Sequence, residues 1–309
     1  MDFGPQSSLL DSVRAVGREA DRRASETEGL RRLPDDIAAA LVSTGMLRQW
    51  VPKVYGGAES ELSTVLDAIE ELAWHDGATG WCAMIGATTS LSAAYLAPEW
   101  AERIYGEPTA ATAGFAMPIG TARPVDGGLV VNGRWEWGSF TQHCTWIGGG
   151  CWVVDDAGAR TARADGLVAP FVFFEPGQVD LLDTWRVAGL KGTGSTDYAV
   201  RDAYVPEGRW AQFFDTPRID GPLYRFPLLG ALSLGVCSVA LGLARRAQHE
   251  LTAIATTKRP SQSSRSLAER SVIQAEVARA EAAWRSSRAF VREVVDEAWQ
   301  AACTGEVLT

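Results

Sequence analysis

Apolar residues in the first quarter of the chain recur every three or four positions, the spacing of one helix face. Residues 7–28 carry such a stripe among Arg, Asp and Glu, which predicts an amphipathic helix. A second helix is expected to begin at Pro34, with acidic residues at the positive end of the helix dipole, and to end at Gly45. Ser60 or Ser63 is expected to cap a third helix.

Residues 77–97 are apolar on all sides, which predicts a helix buried inside a bundle. A short helix follows from Pro98 to Gly106. The pattern then changes: from Ala110 to Phe214 the apolar runs are short and separated by Gly, Pro and Asp, which is typical of strands. Within the buried helix, the candidates for lining a pocket, with core packing as the alternative, are Met84, Ile85 and Thr88.

Two long helices with apolar stripes are predicted after the strands, over residues 223–256 and from Leu267 to about Ala302. The polar segment between them contains Pro260, so the two helices are expected to form an antiparallel hairpin. The sequence thus predicts an N-terminal α-helical domain, a middle β domain and a C-terminal α-helical domain, at residues 1–108, 109–216 and 217–309.

Composition narrows the class of protein. With 309 residues, 46% of them hydrophobic and 22% charged, the chain is expected to be soluble and globular with a large core. The net charge of −9 argues against a nucleic-acid partner, because phosphate binding needs clustered Lys and Arg. The N-terminus lacks a leader pattern, and no uninterrupted apolar run approaches the roughly 20 residues of a membrane span. A cytoplasmic location without membrane attachment is therefore expected.

Cysteine and histidine usage indicates neither a disulfide framework nor a metal site. The five cysteines lack a CxxC pair, and an odd number without a leader favours reduced thiols. The three histidines have no spacing that would gather them around an ion. No Ser-His-acid set or nucleophile elbow is found, so hydrolytic chemistry is not indicated.

The segment 133–146 holds the first candidate chemistry. Trp135, Trp137 and Ser139 alternate, so on an extended strand they are expected to share one face. Core packing is the more common reason for such tryptophans, and the alternative is a wall for a flat aromatic ligand with a hydroxyl at its edge. The residues alone leave both interpretations open.

A second candidate is the run Asp-Thr-Trp-Arg-Val-Ala-Gly-Leu-Lys-Gly-Thr-Gly-Ser over residues 183–195. Its glycines permit close approach of the backbone to a ligand, and Thr193 and Ser195 add hydroxyls. The spacing matches neither a P-loop nor a dinucleotide fingerprint, so by itself the run indicates only a turn.

Taken together, these stretches resemble the acyl-CoA dehydrogenase superfamily over residues 30–309. The loop Pro-Lys-Val-Tyr-Gly-Gly at 52–57 is similar to a loop that follows the second helix in that superfamily. Segment 133–146 resembles its flavin-contacting strand. The Asp-Thr-Trp and Gly-Thr-Gly-Ser elements, followed by Val-Pro-Glu at 205–207, resemble its flavin-dependent monooxygenase branch, the two-component hydroxylases.

This resemblance implies an α+β, acyl-CoA dehydrogenase-like fold: an N-terminal helical bundle, a middle β barrel and a C-terminal helical bundle. It also implies a flavin, FMN or FAD, between the β domain and the helix 223–256. By the same matching, Trp137 would lie against the isoalloxazine ring, Ser139 would hydrogen-bond flavin N5, and Trp185 would stack on the ring. The residues over the flavin would be Thr193, Gly194 and Ser195.

Three further positions follow from the resemblance. Phe115 belongs to a strand and loop that contain Thr-Glu-Pro in the superfamily; here Ala116 and Met117 replace the Thr and Glu, so backbone contacts alone would persist. His143 is a candidate catalytic group near the flavin, with termination of a strand as the alternative. Arg259, with Arg265 as second choice, would bind the cofactor pyrophosphate across a subunit interface, and a solvated basic loop is the alternative.

The expected activity is oxygenation of a small organic substrate by reduced flavin and O₂, with a separate flavin reductase as a possible partner. An acyl-CoA dehydrogenase is the first alternative, but it needs a carboxylate base. The position of that base on the helix corresponds to about Leu232, and residues 226–245 contain no Asp or Glu. The second alternative is a non-catalytic helical scaffold that assembles through residues 223–256.

Superfamily members usually carry two further C-terminal helices, whereas this sequence stops at Thr309. The C-terminal bundle is therefore expected to be incomplete, in a chain that is either truncated or unusually short. A homodimer or homotetramer formed through the C-terminal helices is expected from the resemblance.

Overall fold

The computed structural model describes residues 8–306, so the first residue of the predicted helix 7–28 and the last three residues of the chain lie outside it. The N-terminal part is helical, as predicted. Its helices are α1 (Leu9–Arg22), α2 (Ala24–Leu30), α3 (Asp35–Ser43), α4 (Leu62–His75), α5 (Gly77–Ser90) and α6 (Pro98–Tyr105).

Three details of these helices differ from the sequence-based expectations. The predicted helix 7–28 is two helices, because Arg23 leaves helical geometry at φ −108° and ψ 19°. Neither Ser60 nor Ser63 caps α4, since the residue before the helix is Glu61; the Ser60 hydroxyl donates to Gln49 Oε1 instead. The apolar segment 77–97 is α-helical only to Ser90 and then continues as a 3₁₀ turn.

The middle part is one mixed sheet of seven strands. The strands are β1 (Thr112–Val125), β2 (Gly128–Gly138), β3 (Trp146–Val153), β4 (Phe171–Phe174), β5 (Asp180–Leu182), β6 (Thr196–Pro206) and β7 (Trp210–Ala211). Their order is β5-β6-β2-β1-β3-β4-β7, with β1 and β3 parallel and the other neighbours antiparallel. Helices flanking such a sheet confirm the predicted α+β fold class. The exact domain boundaries stay a prediction.

Strand β1 carries a large bulge. Phe115 pairs with Gly149 and Gly120 pairs with Cys151, so residues 116–119 of β1 stand opposite the single residue Gly150. Gly150 has no space for a side chain, because an added Cβ would lie 2.2 Å from the Ala116 carbonyl oxygen. The bulge therefore depends on a glycine across the ladder.

Tyr198 of β6 secures the start of this bulge. Its buried hydroxyl accepts a hydrogen bond from the Phe115 amide at 2.8 Å and donates one to the Gly148 carbonyl oxygen. One side chain thus links the two parallel strands at the point where their ladder stops.

The C-terminal part consists of α7 (Pro222–Arg225), α8 (Leu228–Thr257) and α9 (Ser271–Thr304). The predicted helix 223–256 is interrupted at Phe226, which is extended before Pro227. The second helix begins at Ser271 rather than Leu267.

Helix α8 packs against α4 and α5, and α9 is tied to α4 by charged groups. An added Cβ at Gly242 of α8 would lie 2.4 Å from the Glu70 carbonyl oxygen, so the two helices are in backbone contact there. Glu70 is 6% exposed, and its two carboxylate oxygens share the single Nε hydrogen of Arg288, at N···O distances of 2.7 and 2.9 Å.

Helix α8 differs from the expectation that no apolar run approaches the length of a membrane span. By length and composition alone it is sufficient to cross a membrane, and it is the one helix with this property in residues 8–306. In this fold one side of it contributes to the helical core through residues such as Ala231 and Val239.

The Gly242→Ala substitution is expected to destabilise the protein by about 1–3 kcal/mol, because the new methyl group meets immobile backbone of α4. Gly29→Ala is the matched control: it lies in α2 with nothing within 4 Å, so alanine is expected to add roughly 0.5–1 kcal/mol of stability. Urea unfolding measures both. Equal effects of the two substitutions would contradict the close contact of α8 with α4.

The Tyr198→Phe substitution is expected to lower the free energy of unfolding by about 1–3 kcal/mol, because the partly buried Phe115 amide loses its acceptor. Tyr204 lies on the same strand, is 46% exposed and donates to the Gly127 carbonyl oxygen. Tyr204→Phe is therefore expected to change stability by less than about 0.5 kcal/mol. Thermal unfolding of both variants tests the difference, and a Tyr198→Phe protein as stable as the parent would refute the role of this hydroxyl.

Candidate functional site

The end of β2 does not place Trp135, Trp137 and Ser139 on one face, so that expectation is wrong. Trp135 is fully buried, whereas Trp137 is 59% exposed. The reason is local: Trp137 has φ +60°, and the pairing with β6 shifts between Trp135 and Gly138. A left-handed residue in a strand breaks the two-residue alternation of side chains.

The two tryptophans therefore have different roles. Trp135 belongs to the core: its ring stacks on Tyr198 with 5.3 Å between centroids, and its Nε1 donates to the Gly150 carbonyl oxygen at 2.8 Å. The Trp137 ring meets Phe115 edge-on at 6.1 Å. Core packing thus holds for Trp135, whereas Trp137 is exposed and its role as a wall for a ligand stays a prediction.

The bulge of β1 extends this exposed surface. Met117 is 62% exposed and Ile119 is 50% exposed, next to the half-buried Phe115. Met117, which replaces a glutamate of the superfamily pattern, makes the surface apolar. A flat ring with apolar faces and a polar edge fits such a surface when a hydrogen-bonding group lies at its margin.

Three buried hydroxyls form a connected set close to the end of β2. Ser139 Oγ lies 2.6 Å from Ser195 Oγ, which lies 2.6 Å from Thr193 Oγ1. Thr193 Oγ1 donates to the Leu190 carbonyl oxygen at 3.0 Å. The residues are 5%, 4% and 2% exposed. The structure thus brings together hydroxyls from two separate segments that the sequence had suggested for one site.

Helix α5 completes this set with a residue that sequence reasoning missed. Trp81 Nε1 donates to Ser139 Oγ at 3.0 Å. Trp81 precedes Met84, Ile85 and Thr88 by three, four and seven positions, so helical spacing places it on the face already considered for a pocket. This helical spacing is the feature of the sequence from which Trp81 could have been predicted.

The loop carrying Thr193 is held in a strained conformation. The non-glycine residue Leu190 in this loop has φ +52°, and Phe140, two positions after β2, has φ +66°. The Phe140 amide donates to the Thr193 carbonyl oxygen at 2.9 Å, which joins β2 to the loop. Strain of this kind is typical of sites that hold a fixed geometry.

Trp185 has other neighbours than Trp137 and Ser139 have. Its Nε1 donates to the Lys191 carbonyl oxygen at 3.1 Å, and its own carbonyl accepts from Arg31 at 2.9 Å. It lines a cavity of about 310 Å³ together with Leu30, Arg31, Arg32, Gln142, Leu181, Leu182, Asp183 and Thr196. Phe115, Trp137 and Ser139 do not line this cavity. Stacking of Trp185 on the same ring as Trp137 therefore stays a prediction.

His143 follows Ser139 but faces α3. Its side chain is 8% exposed, with Nδ1 3.6 Å from Asp35 Oδ1 and the ring 5.3 Å from that of Phe140. Burial lowers the pKa of His143, and the positive charge of Arg32 lowers it further. A neutral imidazole is thus expected near pH 7. Within residues 8–306 it makes no hydrogen bond to the three hydroxyls, and its catalytic role stays a prediction.

Arg259 and Arg265 lie in the loop between α8 and α9 and are exposed. Neither side chain forms a hydrogen bond or ion pair with another described residue. The role of Arg259 at a cofactor phosphate stays a prediction.

Comparison with known proteins places this geometry in a family. The family model described as acyl-CoA dehydrogenase, N-terminal domain, matches residues 5–99, and the C-terminal domain model matches residues 234–309. An indole-3-acetate monooxygenase from Pseudomonas putida is 34% identical over 305 residues, covering 97% of this chain and 74% of that protein. The oxygenase subunit HsaA of a flavin-dependent monooxygenase from Rhodococcus jostii is 33% identical, covering 71% and 57%.

Solved structures have the same fold. XiaF from a Streptomyces species, in complex with FADH₂ and glycerol, superimposes with a TM-score of 0.89 at 23% identity, covering 97% of this chain and 77% of that one. The HsaA monooxygenase from M. tuberculosis gives 0.87 at 24% identity, covering 98% and 78%. Sequence and structure agree: the chain belongs to the acyl-CoA dehydrogenase family, among its flavin-dependent monooxygenases.

Proposed function

We propose that this protein is the oxygenase component of a two-component monooxygenase, which uses reduced flavin and O₂ to hydroxylate a small aromatic compound. The observation that carries the proposal is the buried hydroxyl of Ser139, which is fixed by two hydrogen bonds and lies two residues after the exposed Trp137. The related proteins support the class of substrate, since their names include indole-3-acetate monooxygenase and p-hydroxyphenylacetate 3-hydroxylase. A separate reductase would supply the reduced flavin.

Different residues of the site would hold different parts of the cofactor. Bound reduced flavin supplies the two electrons that activate O₂. Trp137 and Phe115 would contact one face of the ring, and Ser139 would bind its N5 edge. The main chain of residues 116–119, which neither neighbouring strand pairs with, is available to the polar pyrimidine edge. Structures of relatives hold FADH₂ in one case and FMN in another, so either flavin fits the proposal.

A dehydrogenase is less well supported by the structure. By the resemblance, the catalytic carboxylate of a dehydrogenase on α8 would stand at about Leu232, and the nearly buried Glu70 beside that helix is bound by Arg288. Oxygenation does not require a carboxylate on α8.

A direct test of the activity gives the protein chemically reduced flavin, ¹⁸O₂ and a panel of arylacetates, phenols and indoles, and detects labelled product by mass spectrometry. Trp137→Ala is expected to weaken flavin binding by about 1–3 kcal/mol through loss of stacking. Phe214→Ala is the matched control, since Phe214 is 88% exposed and lies outside the site.

Two results would contradict the proposal. One is turnover of an acyl-CoA to its enoyl product with an artificial electron acceptor, without incorporation of oxygen into any substrate. The other is unchanged flavin affinity in both Trp137→Ala and Trp185→Ala.

We further propose a homodimer or homotetramer that assembles through the C-terminal helices, in the cytoplasm. The support is an apolar surface: α8 and α9 expose large hydrophobic side chains, which solvent alone does not favour. These exposed residues are Leu229, Val236, Leu243, Leu251, Ile254, Val272, Phe290 and Val294. In such an assembly Arg259 or Arg265 would reach the phosphates of a neighbour's cofactor, which a guanidinium binds through paired hydrogen bonds.

Phe290→Asp is expected to shift the protein towards monomer at micromolar concentration, because a carboxylate would be buried in the interface. Phe214→Asp introduces the same charge on the β-domain side and is expected to leave the assembly unchanged. Multi-angle light scattering distinguishes the two. A monomeric parent that still binds flavin tightly would disprove the shared site.

A further inference from the structure

We infer that Arg31, at the C-terminal end of α2, is a positioning residue that holds Trp185 in the place where it meets the flavin ring. Its guanidinium group acts through the main chain of Trp185 and does not itself contact the cofactor. This inference rests on the proposed function, because it takes Trp185 to be one of the residues that contact the flavin.

The loop that carries Trp185 has few attachments to the rest of the protein. Residues 183–190 belong to no helix or strand. Trp185 Nε1 donates to the Lys191 carbonyl oxygen at 3.1 Å, which closes the loop on itself. Within residues 8–306, the main chain of residues 185–189 makes one hydrogen bond, in which Arg31 Nη1 donates to the Trp185 carbonyl oxygen at 2.9 Å. A segment with so few bonds moves easily once its one attachment is lost.

Arg31 binds this loop at a second point. The same Nη1 atom donates to Asp183 Oδ1 at 2.6 Å. Hydrogen bonds from a charged guanidinium group to a carboxylate are stronger than those between neutral groups. Arg186 also donates to Asp183, at 2.8 Å, but it belongs to the loop and cannot fix the loop to α2. Arg31 therefore attaches both Asp183 and Trp185 to the N-terminal helices.

The backbone of Arg31 is strained. It follows the last residue of α2 with φ +56° and ψ 27°, in the left-handed region. Glycine is the usual residue in this conformation at a helix end, because a Cβ makes it unfavourable. Such strain persists at other residues only where surrounding contacts outweigh it. The two bonds to the loop are contacts of this kind, and they require the arginine side chain.

The far end of the loop is fixed without Arg31. An added Cβ at Gly192 would lie 2.2 Å from Thr27 Cγ2 and 2.9 Å from the Cβ of Ala78, so the main chain there packs directly on α2 and α5. Lys191 Nζ also lies 3.4 Å from Glu28 Oε2. Loss of the Arg31 side chain would therefore leave this end in place and release the segment that carries Trp185.

Trp185 has space to move if it is released. It lines a cavity of about 310 Å³ together with Arg31, and part of the lining is apolar. The apolar residues are Leu30, Leu181 and Leu182. A displacement of about 1 Å is enough to weaken a site that depends on fixed geometry. Arg31 thus prevents the indole ring from moving into this cavity and away from the flavin.

The test measures the dissociation constant of reduced riboflavin under anaerobic conditions, by isothermal titration calorimetry. Riboflavin has no phosphate, so attraction between Arg31 and a charged group of the cofactor does not contribute. Trp185→Ala is expected to weaken binding by about tenfold through loss of stacking. Arg31→Met and Arg31→Gly are each expected to weaken it by about fivefold, because the ring is held less closely. In the Trp185→Ala protein, Arg31→Met is expected to have no further effect, since both changes remove the same contact.

Two comparisons separate the position of Trp185 from general stability. Arg31→Gly removes the side chain but relieves the strain of the left-handed backbone, so its midpoint of thermal unfolding is expected to stay close to that of the parent. Arg186→Met is the matched control: it removes the other partner of Asp183, its side chain is 70% exposed, and the variant is expected to bind riboflavin like the parent.

The possible results separate this inference from the proposed function. A parent protein that binds neither riboflavin nor FMN overturns the proposed function and the inference with it. The inference alone is overturned if Trp185→Ala or the two Arg31 variants bind riboflavin like the parent, or if the Arg31 variants lose affinity for FMN only.

Three further results would also overturn the inference alone. These are an equal effect of Arg31→Met with and without Trp185, an Arg186→Met protein as weak as Arg31→Met, and an Arg31→Gly protein that unfolds well below the parent. Weaker riboflavin binding that is confined to proteins with Trp185, together with a stable Arg31→Gly protein, supports it.

Discussion

The constraint on which the rest of the structure depends is the burial of helix α5. The helix has no polar face, so other elements must cover it on every side. Helix α4 and helix α8 cover two sides, while β1 and the loop at Lys191–Thr193 cover others. The three parts of the chain therefore meet on one helix, and Trp81 reaches Ser139 because of that meeting.

Local sequence patterns were sufficient to predict most helices and the change to strands, because the spacing of apolar residues can be read without knowledge of the tertiary fold. They were insufficient where the backbone leaves regular geometry. Nothing in the alternation around Trp137 indicates its positive φ, which arises from pairing with β6. Resemblance supplied Thr193 and Ser195, but the donor Trp81 was missed, since a hydrogen bond spanning 58 residues depends on packing.

Charged groups between the helices fix the position of α9 against α4. Arg288 reaches across from α9 to the buried Glu70 on α4, beside the contact of Gly242 with the same turn. Buried ion pairs are weak evidence for net stability, but removal of one partner leaves a charge without compensation. The pair therefore acts mainly to select the position of α9.

The bulge of β1 exposes main-chain groups that are not used in the sheet. Residues 116–119 stand outside the ladders to β2 and β3, so their main-chain groups have the same chemistry whatever side chains they carry. Positions such as Ala116 and Met117 are thus able to change in evolution while a cradle made of backbone persists. On the proposed function, main-chain groups of the bulge would hold the flavin ring, and a few exposed side chains would determine which substrate fits beside it.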